Sequence, residues 1–149
     1  MAKAVDIPTE QHWADAWGVL APQLAGRKVL ALEGDLGAGK TTFVKTIAAR
    51  LGFAGEVTSP TFSIVQEYPT PEGMLYHFDL YRLETVDEVL DLDFERYLDD
   101  ARFVVVEWPR VAEPMLPPGE ALWAKIEHLP TGGRRLLVLG TPAASAEKP

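Results

Sequence analysis

The sequence contains no cysteine among its 149 residues. Disulfide bonds, thiolate metal sites and a cysteine nucleophile are therefore excluded. No apolar run approaches the roughly 20 residues that a membrane-spanning helix needs. The first twenty residues also lack the basic-then-apolar order of a secretory signal. These absences predict a soluble, cytoplasmic chain with no membrane association.

Positive charge is under-represented, since 14 basic against 22 acidic residues give a formal net charge of −8. Residues 79–100, the acidic block, hold nine acidic side chains and two arginines, so this block alone carries −7. This distribution of charge is unfavourable for binding the phosphate backbone of a nucleic acid. We therefore expect no direct high-affinity binding of nucleic acid. The acidic block has two interpretations, a surface that meets a partner or keeps nucleic acid away, and an ordinary solvated helix face.

The length fits one domain, which we place at residues 1–140; residues 141–149 have no apolar pattern and are predicted to be a disordered tail. Hydrophobic periodicity predicts helices and strands along that domain. The predicted helices are a first one from Thr9 to Leu24, a second from Thr41 to Leu51, and two short ones in the acidic block. The predicted strands are 28–33, 63–68, 75–81, 103–107, 122–128 and 135–139, with turns at 69–73 and 132–133 and a proline-rich loop at 109–118.

A glycine-rich motif connects the first predicted strand, 28–33, to the second predicted helix. It fits the P-loop pattern G-x-x-x-x-G-K-[ST] and comprises Gly34, Asp35, Leu36, Gly37, Ala38, Gly39, Lys40 and Thr41. Glycines allow successive backbone N–H groups to point at an anion, and the helix N-terminus adds positive potential. We expect Lys40 to reach the phosphates, Thr41 to ligate Mg²⁺, and Thr42 to lie at the nucleotide. A chance match to the pattern in this chain comes to about 0.3%.

A P-loop site needs a further acidic group for the metal ion or the attacking water. Glu107 and Asp79 stand at the ends of predicted strands, where a parallel sheet delivers side chains to its ligand edge. For each of the two carboxylates, the alternative interpretation is a solvated residue at the edge of the sheet. Thr61 belongs to the segment SPTF, which could act as a switch that folds over the γ-phosphate and Mg²⁺, with Thr61 as the contacting residue. The alternative interpretation is a plain Ser-Pro turn between two elements.

Three other side chains near these motifs have open interpretations. His77 is treated as a packed histidine and is left outside the active set. Trp108 either stacks on a functional group or only packs, and Arg82 pairs with Asp79, with the acidic block or with phosphate. The tryptophan stripe of the first helix is predicted to be core.

Four motifs in order resemble the TsaE (YjeE) family of small bacterial ATPases: LEGDLGAGKTTFVK, TSPTFSIVQEY, YHFDLYRL and VVVEWP. The resemblance covers about Thr9 to Leu139. It implies a single P-loop NTPase domain of the α/β class, with a central, largely parallel sheet, helices on its faces and antiparallel additions. It also implies a slow ATPase required for threonylcarbamoyladenosine at position 37 of ANN-decoding tRNAs, working with the TsaB–TsaD complex.

The resemblance also assigns roles to single residues and to the cofactors ATP/ADP and Mg²⁺. By similarity, Lys40 and Thr41 serve phosphate and metal, Glu107 completes the Mg²⁺ site, and Asp79 supports hydrolysis. Thr61 belongs to the switch-like segment, Trp108 to the family's Glu-Trp pair, and Thr9 falls near a threonine that approaches the nucleotide.

A small-molecule P-loop kinase is the alternative function. Such a kinase usually closes an arginine-bearing lid over the phosphates. The only arginines between residues 51 and 101 are Arg82 and Arg96, and both lie in the acidic block with its nine acidic side chains. The sequence therefore favours an ATPase that switches a partner complex.

Overall fold

The computed structural model describes residues 3–24, 26–35, 39–55, 64–116 and 119–139. The strands are β1 Lys3–Ile7, β2 Val29–Gly34, β3 Val65–Thr70, β4 Gly73–Asp79, β5 Phe103–Glu107, β6 Ala121–His128 and β7 Arg134–Leu139. The α-helices are α1 Trp13–Leu20, α2 Lys40–Arg50, α3 Val86–Asp91 and α4 Phe94–Asp100. Short 3₁₀ segments cover Glu10–His12, Ala21–Leu24 and Pro109–Met115.

The strands form one mixed sheet in the order β1-β7-β6-β2-β5-β4-β3. Its centre, β6-β2-β5-β4, is parallel. β7 and β1 extend one side antiparallel, and β3 extends the other. The predicted α/β fold with antiparallel additions is confirmed. Because four strands are parallel, their carboxyl ends meet at one edge, where ligands bind in open α/β sheets.

Both faces of the sheet are covered, and successive side chains of β2 pack alternately into two different cores. Leu30 and Leu32 belong to a core shared with α1 and α2, whereas Val29 and Ala31 belong to a second core. Helices α3 and α4 and the 109–115 segment lie over that second face. A strand buried on both sides reads as a continuous apolar run, which is why 28–33 is recognisable in the sequence.

The first predicted helix is divided into three pieces. Pro22 lacks an N–H donor and its ring conflicts with an α-helical carbonyl, so α1 ends at Leu20 and the chain tightens into a 3₁₀ turn. At the other end Thr9 precedes a 3₁₀ turn, and its hydroxyl contacts the His12 ring at 2.9 Å rather than capping a backbone N–H. The predicted tryptophan core is confirmed for Trp13, which is buried.

Three further boundaries differ from the sequence prediction. β1 was not predicted; it pairs with β7, with Val5 opposite Leu136. Pro69 and Thr70 belong to β3 rather than to a turn, which a proline tolerates because β3 is the outermost strand. The region after β5 is a 3₁₀ segment that begins at Pro109, a position where the missing N–H is harmless.

The remaining elements follow the prediction closely, including α2, the two acidic helices and the hairpin turn at Gly132 and Gly133, both with positive φ. The start of the predicted strand 63–68 and the predicted tail 141–149 fall on residues outside the described ranges. The assignment of residues 1–140 to one domain therefore stays a prediction. Within the described ranges, helices suited in length and apolarity to crossing a bilayer are absent.

Candidate functional site

The carboxyl edge of the parallel strands carries the candidate site. β2 ends at Gly34 and α2 begins at Lys40, so the P-loop motif connects a buried strand to a helix, as its spacing predicts. Gly39 precedes the helix with φ +103°, a conformation that favours glycine. Leu36, Gly37 and Ala38 lie outside the described residues, as does Thr61.

Lys40 is the buried cation of the site, with 5% of its surface exposed. Its Nζ donates a hydrogen bond to the Gly34 carbonyl oxygen at 2.6 Å and lies 4.0 Å from Oε1 of Glu107. Burial lowers the pKa of Lys40, and the negative charges of Glu107, Asp79 and Asp35 oppose that effect. The site therefore holds a poorly hydrated ammonium that an anionic ligand would stabilise.

Glu107 ends β5 and is buried. One oxygen, Oε2, accepts a hydrogen bond from Nε2 of His77, a fully buried residue of β4. The other, Oε1, is the atom that faces Lys40. The carboxylate therefore links a neighbouring strand to the first residue of α2.

Asp79 ends β4 directly opposite Glu107 in the parallel register. Its Oδ1 accepts a hydrogen bond from the Tyr81 backbone N–H at 3.0 Å. Burial raises the pKa of Asp79, the Tyr81 bond lowers it, and the negative charge of Glu107 raises it further. A carboxylate with a raised pKa at a ligand edge is suited to accept a proton.

Trp108 follows Glu107 in the left-handed region, at φ 55° and ψ 56°. A non-glycine residue in that conformation is strained and often marks a functional position. Its ring centroid lies 3.9 Å from Nζ of Lys40 and 4.9 Å from the ring of Tyr81. Of the two interpretations of Trp108, stacking on a functional group is therefore the one the geometry supports.

A cavity of about 280 Å³ lies beside the start of α2. Thr9 and Thr42 line it together with Gly39 and Trp13, and Gly133 and Arg134, where β7 begins, border it as well. Two predicted nucleotide contacts that are far apart in sequence thus share one space next to the P-loop.

The predicted metal ligands are the hydroxyl of Thr41, on the first turn of α2, and the carboxylate of Glu107. Both are hard oxygen donors, as Mg²⁺ prefers, and the rest of its octahedral shell usually comes from phosphates and water. Groups of three or more histidine or acidic side chains that could bind a metal unaided are absent from the described part of the chain. The donor set fits a metal ion that arrives with a nucleotide.

On the opposite face of the sheet, Glu33 of β2 is buried and pairs with Arg110, Nε to Oε1 at 2.7 Å. Burial raises the pKa of Glu33, and the Arg110 hydrogen bond and charge oppose it. This pair joins the strand before the P-loop to the segment after Trp108. Sequence reasoning missed it, because no spacing rule relates residues 33 and 110.

His77 was also missed as a member of the site, although a signal existed. It lies two residues before Asp79 on one strand, and a period of two places both side chains on the same face. Arg82, by contrast, has no described contact that decides among its three interpretations.

Comparisons with known proteins match most of the chain to one family. Residues 7–136 match the family described as "Threonylcarbamoyl adenosine biosynthesis protein TsaE". A relative from Bacillus subtilis, a tRNA threonylcarbamoyladenosine biosynthesis protein TsaE, is 49% identical over 89 residues; the alignment covers 60% of this chain and 55% of the relative. This chain thus spans little more than half the length of that relative.

Two other similarities extend further. A protein of the same description from Synechocystis sp. is 47% identical over 108 residues, covering 69% of this chain and 68% of the relative. The crystal structure of Bacillus subtilis YdiB superposes with a TM-score of 0.68 at 31% identity, covering 93% of this chain and 84% of that one.

Proposed function

The chain belongs to the TsaE family, and from that premise we propose that it is a magnesium-dependent ATPase in the biosynthesis of threonylcarbamoyladenosine in tRNA. The observation that supports the ATPase activity is the convergence of Lys40, Asp79 and Glu107 at the carboxyl ends of β4 and β5 and the start of α2. The pathway rests on relatives whose names place them in that biosynthesis.

Phosphate binding is assigned to Lys40 and to the N-terminus of α2. The ammonium is buried, so its attraction to an incoming phosphate is screened less than that of a surface lysine. Backbone N–H groups of the first turn, around Thr41 and Thr42, add the positive end of an 11-residue helix.

Thr41 and Glu107 would hold Mg²⁺ in this proposal. The ion supplies charge neutralisation at the phosphate oxygens when it is bound. Glu107 is well placed for that role because its Oε1 already faces the P-loop lysine.

Asp79 is proposed to orient the attacking water and to accept its proton. Its burial raises its pKa towards the range in which a general base works best near neutral pH. Thr61 is proposed as a switch contact, and Thr9 and Thr42 as nucleotide contacts through the cavity they share.

The TsaB–TsaD complex is the proposed partner, and the intrinsic activity of the chain alone is expected to be low. Direct high-affinity binding of nucleic acid is not expected, since the chain carries a net charge of −8. Any tRNA would then be held by the partner subunits, in the cytoplasm.

The test is ATP turnover with and without purified TsaB–TsaD, for wild type, Lys40→Ala and Lys45→Ala. Lys45 lies on the same helix but is exposed, so its replacement controls for loss of a positive charge on α2. We expect stimulated release of phosphate for wild type and Lys45→Ala and none for Lys40→Ala. Transfer of phosphate to a small acceptor without stimulation would instead support a kinase.

A further inference from the structure

His77 has features that packing alone does not require. It is 0% exposed, and its Nε2 is hydrogen-bonded to Oε2 of Glu107. Because a carboxylate oxygen only accepts, Nε2 carries the hydrogen and donates it. Among the described residues, Nδ1 of His77 has no hydrogen-bond partner. Within that part of the chain, the hydrogen bonding of this buried ring is therefore directed at the Glu107 carboxylate.

The hydrogen bond restricts how the Glu107 side chain can rotate. With Oε2 held by His77 on β4, the carboxylate plane is fixed and Oε1 remains directed at the P-loop side, 4.0 Å from Nζ of Lys40. Without a donor at His77 the buried carboxylate would lose one partner and could turn about its terminal torsion, which is a broad and soft one.

We propose that His77 is a positioning residue: its Nε2–H holds Glu107 in the orientation that presents Oε1 to the Mg²⁺ of a bound nucleotide. This inference rests on the proposed function. Groups that hydrogen-bond a metal-ligating side chain orient it, and their loss typically lowers metal affinity or activity about 10- to 100-fold.

The experiment compares His77→Leu, which removes the donor, with His77→Gln, whose side-chain amide nitrogen takes the place of Nε2. The affinity for ADP is measured by calorimetry in Mg²⁺ and again in EDTA, and the melting temperature of the free chain is recorded. We expect His77→Leu to lose about tenfold or more of the Mg²⁺-dependent gain in affinity. Its affinity in EDTA should stay within about twofold of wild type, and His77→Gln should retain most of the gain.

A double-mutant cycle with Glu107→Ala adds a second readout. Because His77 is proposed to act through Glu107, His77→Leu should have no further effect on the Mg²⁺-dependent gain once Glu107 is replaced. An additive loss would contradict the inference.

The inference is overturned if His77→Leu keeps the full Mg²⁺ dependence, or if it lowers affinity equally in both buffers. If His77→Leu does not fold, His77→Asn replaces it, since the shorter amide does not reach Glu107, and the same comparison with His77→Gln decides. A wild-type chain without Mg²⁺-dependent ADP binding would overturn the proposed function itself, which is a different result.

Discussion

Trp13 occupies the space into which a side chain on Gly39 would project. A Cβ built on Gly39 would lie 2.7 Å from Cζ2 of Trp13, and Gly39 has φ +103°. Trp13 cannot easily move, because it is 3% exposed and stacks on Phe43 of α2 with ring centroids 5.1 Å apart. The N-terminal helix therefore sets the steric limit on the last glycine of the P-loop.

The first prediction concerns this contact. Gly39→Ala should lower the free energy of unfolding by about 2–4 kcal/mol, since left-handed strain and overpacking add. Gly132→Ala is the matched control, because Gly132 has φ +87° but no atom within 4 Å of its Cβ position; it should lose only about 1–2 kcal/mol. Urea unfolding measures both, and equal losses would show that Trp13 is not the obstacle.

The second prediction concerns Trp108 and Lys40. Binding of phosphate should draw the ammonium away from the ring, 3.9 Å from its centroid, and change the fluorescence of Trp108. The change on adding ADP should therefore be much smaller in Trp108→Phe, where the remaining signal comes from Trp13 in the cavity beside the P-loop. It should persist in Trp123→Phe, which removes a buried tryptophan of the second core, on the other face of the sheet. Persistence of the full signal in Trp108→Phe would contradict the proposed movement.

The third prediction is a trade-off at Asp79. Asp79→Asn should reduce stimulated ATP turnover at least about 100-fold, the usual contribution of a general base. It should also stabilise the free chain at neutral pH, because burial raises the pKa of Asp79 and so disfavours the ionised folded state.

The sign of this effect gives its pH dependence. A raised pKa in the folded state means that wild type loses stability as pH rises from the unfolded value through the folded one. The stability that Asp79→Asn gains over wild type should therefore grow over that pH interval. It should vanish at lower pH, where the side chains of both proteins are neutral. Thermal unfolding in EDTA between pH 3.5 and 7.5 measures it, and a constant difference would contradict the assignment.

The fourth prediction concerns Glu33 and Arg110. Arg110→Met should destabilise the chain by about 2–3 kcal/mol, because it leaves a buried carboxylate without its partner. The loss should be largest at neutral pH, since the pKa of Glu33, already raised by burial, would rise further. In the double variant, the added Glu33→Gln should restore more than half of the stability lost in Arg110→Met.

The exposed pair Arg135 and Asp6 is the control, joined Nε to Oδ1 at 2.6 Å. Arg135→Met should change the free energy of unfolding by less than about 1 kcal/mol, as exposed ion pairs do. Similar losses for both arginines would show that burial of Glu33 is unimportant.

The fifth prediction separates two kinds of acidic residue in the acidic block. Glu88 forms a capping box with Thr85 at the start of α3, whereas Asp91 is exposed at its end. Glu88→Lys should therefore lower stability by about 1 kcal/mol, and Asp91→Lys should stay within about 0.5 kcal/mol. Chemical denaturation compares them. Charge reversal at Asp91 then tests the partner interpretation without disturbing the helix.

The sequence predicted the parts of this site that depend on local pattern. The P-loop follows from glycine spacing between a buried strand and an amphipathic helix, and Asp79 and Glu107 follow from their positions at strand ends. It did not predict contacts set by sheet order. His77 meets Glu107 only because β4 and β5 are neighbours, and Arg110 meets Glu33 only because the 109–115 segment folds back over β2.

Errors of boundary had a similar cause. Pro69 and Pro109 suggest turns and loops when taken alone, yet an outer strand and the first position of a 3₁₀ segment accept them. β1 is short and gains its stability from β7, a partner about 130 residues away, so no local pattern could reveal it.

The pairing of β1 with β7 also fixes the order in which the chain can be completed during synthesis. Val5 emerges from the ribosome early but must wait for Leu136 before it acquires its strand partner. The cavity beside the P-loop is walled by Thr9 and Trp13 on one side and by Gly133 and Arg134 on the other. A nascent chain therefore carries its P-loop motif long before this cavity is complete, and the proposed nucleotide contacts Thr9 and Thr42 share a finished cavity only when the final hairpin has formed.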